Sequence, residues 1–79
     1  MAEKQKVSSA FGVVLRAYRL ERGFTQEQLS ERVGVVHSFI SSLESGKKQP
    51  SLTMAFNLAA ALGIKPGEFV DAVDAKLKR

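Results

Sequence analysis

Between Gly23 and Lys47 the chain reads GFTQEQLSERVGVVHSFISSLESGK. Two short amphipathic segments lie in it, bounded by Gly23, Gly34 and Gly46 and separated only by Gly34-Val35. The first opens on Thr25 with Gln28 three residues on, the pattern of a capping box. Phe24 before the cap and Leu29 after it fit a hydrophobic staple. A helix is predicted from Gln26 to Val33, stopped by Gly34. In the second, over Val36–Ser45, a step of about 100° per residue gathers Val36, Phe39, Ile40 and Leu43 on one side. His37, Ser38, Ser41, Ser42 and Ser45 gather on the other. Serine is a mediocre helix former because its hydroxyl competes for the backbone. A helix side built from four serines and a histidine therefore asks for an explanation.

Working outward, Gly, Pro and Ser divide the chain into five amphipathic segments, and none alternates with the period of a strand. Residues 1–7 are polar and expected to be flexible. Ser8 or Ser9 is expected to cap a first helix ending near Arg22, with Phe11, Val14, Leu15 and Tyr18 inward. Ser51 caps a fourth helix to Leu62, with Leu52, Ala55, Phe56, Ala59 and Leu62 assigned to its inner face. The fifth opens at Pro66, carries Glu68 and Asp71 early and ends in the basic run KLKR, as the helix dipole favours. The reading is all-α, five helices, one small domain over residues 1–79.

Composition narrows the function. With 79 residues, no cysteine and one histidine, there is no disulfide framework and no metal cluster to build. No apolar run approaches a membrane span and no signal-peptide pattern opens the chain, so a cytoplasmic protein is expected. No nucleophile–base pair, carboxylate pair or metal spacing suggests an enzyme, and no cofactor is implied. The formal charge of +4 suits a polyanionic partner, although solubility alone would also account for it.

The very short turn between the second and third segments is helix-turn-helix geometry. Ser30 faces the third helix across it, and its small side chain permits a close crossing. The longer run GFTQEQLSERVGVVHSFISSLESGKKQPSLTMAFNLAAALGIKPGEF, Gly23–Phe69, resembles the Cro/CI-type (XRE-type) helix-turn-helix domain. That family's pattern is roughly G-x-T-Q-x-x-L-A, G-V-S, I-S-x-[IL]-E-x-G, P-S-L and L-A-x-A-L-G. The resemblance spans about residues 11–70. It implies a compact five-helix Cro/CI-like fold that binds double-stranded operator DNA, with the helix over 36–45 in the major groove.

A groove-reading surface must come close to base edges and offer donors and acceptors. Short hydroxyls do both, and His37 at the helix start can donate to a guanine or a phosphate, which makes His37, Ser38, Ser41 and Ser42 the candidate base-reading residues. Lys47 and Lys48 are candidates for phosphate neutralisation, with plain solvation as the other reading; Arg16, Lys76, Lys78 and Arg79 are weaker ones. Other roles come from the resemblance. It implies a phosphate contact and a bracing role for Gln26, whose position near the free N–H groups of a helix start is itself suited to an anion. It implies a structural ion pair between Arg19 and Glu44. It also raises contact between RNA polymerase and the acidic pair Glu27 and Glu31, where helix solubility is the simpler reading.

Two residues depart from the family pattern. Val36 replaces the usual capping Ser or Thr, which should cost about 1 kcal/mol. It can be a packing residue, the reading favoured from sequence, or touch a thymine methyl. Phe39 stands where a hydroxylated aromatic is common and is expected to pack. Val70, Val73 and Leu77 form an apolar stripe on the last helix and are assigned to a homodimer interface. The reading is a stand-alone transcriptional regulator on a palindromic operator, akin to restriction–modification controller proteins and phage Cro-like repressors. An antitoxin that represses only with a partner protein is the alternative.

Overall fold

A computed structural model describes residues 2–78, with side chains from Lys6 onward. It has five helices and, among the described residues, no strand: α1 Ala2–Glu21, α2 Gln26–Val33, α3 His37–Glu44, α4 Leu52–Leu62 and α5 Pro66–Leu77. α1 begins well before Ser8. Ala, Glu, Lys and Gln over residues 2–6 are strong helix formers, and nothing there stops the helix. Ser8 is buried in mid-helix and Ser9 is helical, so neither is a cap. Met1 and Arg79 lie outside the described residues.

α2 is capped as its sequence demands. Gln28 N–H donates to Thr25 Oγ1 at 3.0 Å, and Thr25 N–H donates to Gln28 Oε1 at 2.9 Å. Gly34 then takes φ +87°, which an L side chain resists. Its N–H and that of Val35 both donate to Ser30 O, at 2.8 and 3.0 Å. These bonds close α2, and α3 begins after only three residues. Ser30 is buried, its hydroxyl satisfied by Glu27 O at 2.7 Å. α3 has no side-chain cap: Val36 occupies the N-cap in extended conformation.

Leu15, Leu29, Ile40, Leu43, Leu58, Leu62 and Phe69 form the fully buried centre. α5 docks on α1 through Phe69, whose ring stacks on Phe11 with centroids 4.9 Å apart and meets Tyr18 at 5.8 Å. Of the face expected inward on α4, Ala59 and Leu62 are buried and Ala55 is half-buried, but the rest of it is not. Leu58 is fully buried, whereas Leu52 and Phe56 are exposed. The segment LTMAFNLAAAL is apolar on nearly every side, so its periodicity could not select a face. Val36, expected to pack, is 68% exposed, because the N-cap leaves the helix before the apolar stripe begins.

α1 crosses the end of α3 at Gly12. A Cβ there would stand 2.5 Å from Leu43 O and 2.8 Å from the Glu44 carbonyl carbon, and would also collide with Glu44 O. Those atoms are backbone, so the close approach requires glycine.

Candidate nucleic-acid interface

α3 divides sharply along its length. Ile40 and Leu43 are fully buried and Phe39 half-buried, fixing the helix to the core. His37, Ser38, Ser41 and Ser45 are exposed and Ser42 is half-buried. Among the described residues, no hydrogen bond engages the hydroxyls of Ser38, Ser41 or Ser42, so they are free to meet a ligand; Ser45 Oγ donates to Ser42 O at 3.2 Å. The side is polar and short, built from hydroxyls and one imidazole.

Beneath it a polar chain links three helices. Arg19 of α1 meets Glu44 of α3 with two bonds, Nε to Oε2 at 2.6 Å and Nη2 to Oε1 at 3.1 Å. Both side chains are nearly buried, at 8% and 4% exposure. Arg19 Nη1 also donates to Phe24 O at 2.7 Å, fixing the entry to α2. Gln26, the first residue of α2, donates from Nε2 to Glu44 Oε1 at 3.0 Å. Its Oε1 lies 2.9 Å from Nε2 of His37, the first residue of α3. The chain runs from the buried ion pair to the rim of the exposed side.

The loop after α3 is held to it as well. Lys47 and Lys48 donate their backbone N–H groups to Ser42 O at 3.0 and 3.3 Å. Both side chains are exposed, and the Lys48 ammonium lies 5.9 Å from the Phe39 ring centroid, at the edge of cation–π range. Lys78 is engaged with Asp74 at 3.1 Å, while Arg16 is exposed. Glu27 and Glu31 are exposed on α2.

The stripe on α5 is split by the fold. Val70 and Leu77 are exposed, but Val73 is buried among core residues. Its place there leaves it little surface to offer a second copy, because α5 lies flat on α1 and turns the middle of the stripe inward. Two features escaped sequence reading. Gly12 had one signal, a glycine in the interior of a helical pattern. The Gln26–His37 contact had only the bracing role that the resemblance implies for Gln26, since it joins side chains eleven residues apart on two helices.

The helix-turn-helix family HTH_3 matches residues 15–69. This chain belongs to it. An HTH-type transcriptional regulator of Methanothermobacter thermautotrophicus, itself called uncharacterized, is 50% identical over 50 residues, covering 63% of this chain and 72% of that protein. The restriction–modification controller protein C.AhdI from Aeromonas hydrophila superposes with TM-score 0.76 at 35% identity, covering 78% of this chain and 94% of that one. A second controller protein, C.Esp1396I, solved as a tetramer with its natural 35 base-pair operator, superposes with TM-score 0.83 over 92% of this chain and 96% of that one. At 20% identity that likeness is one of fold alone. HTH_3 proteins of this Cro/CI type are DNA-binding transcriptional regulators, not enzymes. No helix among the described residues is long and apolar enough to cross a membrane.

Proposed function

We propose that this HTH_3 chain regulates transcription by binding a palindromic operator as a homodimer, with α3 in the major groove. The observation that carries the reading is the exposed His37–Ser38–Ser41 side, set on a helix whose opposite side is locked into the core. Such a rigid mount holds side chains in register with base edges. Ser42, half-buried, reaches the groove from its margin, and exposed Val36 presents two methyls at the helix start. Removal of one base contact should cost about 1–3 kcal/mol of specific affinity. Ser41→Ala is therefore expected to weaken operator binding while leaving binding to random duplex unchanged. Equal losses on both would show that the residue touches only the DNA backbone.

Phosphates are held by the flanks of the same surface. The amide of Gln26 has one N–H beyond the one given to Glu44, and the first N–H groups of α2 have no intrahelical acceptor. Lys47 and Lys48 add charge without sequence information. Lys47→Ala should weaken binding to all duplexes alike and make the slope of log K against log salt shallower by about one unit. An unchanged slope would mean that the ammonium stays solvated in the complex. Exposed Glu27 and Glu31 are accounted for by helix solubility.

One helix reads only a few base pairs, too little for useful specificity in a genome. Val70 and Leu77, apolar and exposed on α5, are the proposed contact with a second copy. At a two-fold interface Val70→Asp sets a charge against its own copy. The variant should fold, sediment as a monomer and bind the operator weakly. A Val70→Asp protein that remains dimeric places the interface elsewhere.

A further inference from the structure

The contacts around Gln26 point to an assignment of polarity for His37, an exposed residue: we infer that its Nδ1 accepts a hydrogen bond from the exocyclic amino group of a cytosine or adenine in the major groove. This rests on the base-reading role proposed for α3 and specifies what that role selects.

The polarity of the chain originates at the buried ion pair. Glu44 faces the Arg19 guanidinium as a carboxylate, which can only accept. The Gln26 atom 3.0 Å from Glu44 Oε1 must therefore be the amide nitrogen. That orientation turns the Gln26 carbonyl toward His37, where a ring nitrogen stands 2.9 Å from Oε1. A carbonyl can only accept, so His37 Nε2 must carry the hydrogen. In the neutral ring the other nitrogen, Nδ1, then holds a lone pair. Each step is forced by the one before it, from a nearly buried carboxylate to an exposed imidazole.

The bases divide cleanly against such a group. In the major groove cytosine offers its N4 amino group and adenine its N6 amino group. Guanine N7 and O6 and thymine O4 are acceptors. A neutral His37 fixed in this tautomer matches the first two and meets the others lone pair to lone pair. At the first position of α3, it sits at the helix end that approaches bases most directly in helix-turn-helix complexes.

The test deletes single amino groups from DNA. After an operator is selected from random duplexes, each cytosine is replaced in turn by 2-pyrimidinone and each adenine by purine, which lack the exocyclic amine. Each guanine is replaced by 7-deazaguanine, which lacks the N7 acceptor. Binding is measured at pH 8, where free imidazole is neutral. Wild type should lose on the order of tenfold at one cytosine or adenine per half-site, and His37→Ala should show no loss there beyond that of the weakened base pair. Gln26→Ala, which releases the ring, should blunt the same loss. Coupling of His37 to 7-deazaguanine instead would make it a donor and overturn the assignment, leaving base reading intact. Coupling to no base would confine His37 to the backbone. If no sequence is selected at all, base reading by α3 fails, and the assignment with it.

Discussion

Glu44→Ala should unfold a large fraction of the protein's stability in one step. The substitution leaves the Arg19 guanidinium nearly buried with only Phe24 O as partner, and takes the acceptor from the Gln26 amide. Removing one member of a buried pair costs about 3–5 kcal/mol, chiefly because the remaining charge is stranded. A domain of this size has a total stability of roughly 4–12 kcal/mol, so the loss is about a quarter of it or more. Urea unfolding should show a midpoint far below that of wild type. The cause can be separated from lost packing. Replacing both partners, Arg19→Met with Glu44→Met, strands no charge and should recover much of the deficit. A single variant as stable as wild type, or a double variant no better than the single, would refute this account of the pair.

Gly12→Ala is expected to destabilise, against the rule for helix interiors. Propensity alone says that alanine in mid-helix should gain about 1 kcal/mol over glycine. The methyl, however, would meet Leu43 O, Glu44 O and the Glu44 carbonyl carbon. These atoms belong to the end of α3, where Leu43 O also accepts from Gly46 N–H at 3.2 Å. They cannot give way as a flexible side chain would. Overpacking of this kind costs about 1–3 kcal/mol, occasionally more, which exceeds the propensity gain. The sign of the change in thermal midpoint is the readout. A Gly12→Ala protein more stable than wild type would mean that α1 and α3 separate there without penalty.

How much could be read before the fold was known follows the range of each interaction. The α2 capping box, the Gly34 stop and the buried side of α3 are set within a few residues, and local chemistry was enough to place them. The start of α1 was misplaced because a serine that can cap does not cap when good helix formers precede it. On α4 the inward placement of Ala59 and Leu62 holds, but Leu58 takes the place expected of Leu52 and Phe56; all three are equally apolar, and only contacts with other helices choose among them. Val73 was assigned to a dimer contact because its stripe looks continuous in sequence; docking of α5 on α1 consumes its middle. At the candidate interface the exposed residues of α3 were visible from periodicity. Of the polar chain beneath them, the Arg19–Glu44 pair and a bracing role for Gln26 came only from the family resemblance; the links from Gln26 to Glu44 and His37 join residues 18 and 11 positions apart and leave no local pattern.

Selection of bound sequences from random duplex DNA, run in parallel with wild type and with His37→Ala/Ser41→Ala, decides whether α3 is the helix that reads DNA. Wild type should enrich an inverted repeat whose half-site centres lie about 34–36 Å, or a multiple of that, apart, as two α3 helices related by a two-fold axis require. The double variant should bind duplex DNA yet lose enrichment at the bases that α3 reads. A wild-type pool that stays random, or a double variant that enriches the same sequence equally well, would contradict the assignment of α3 as the reading helix.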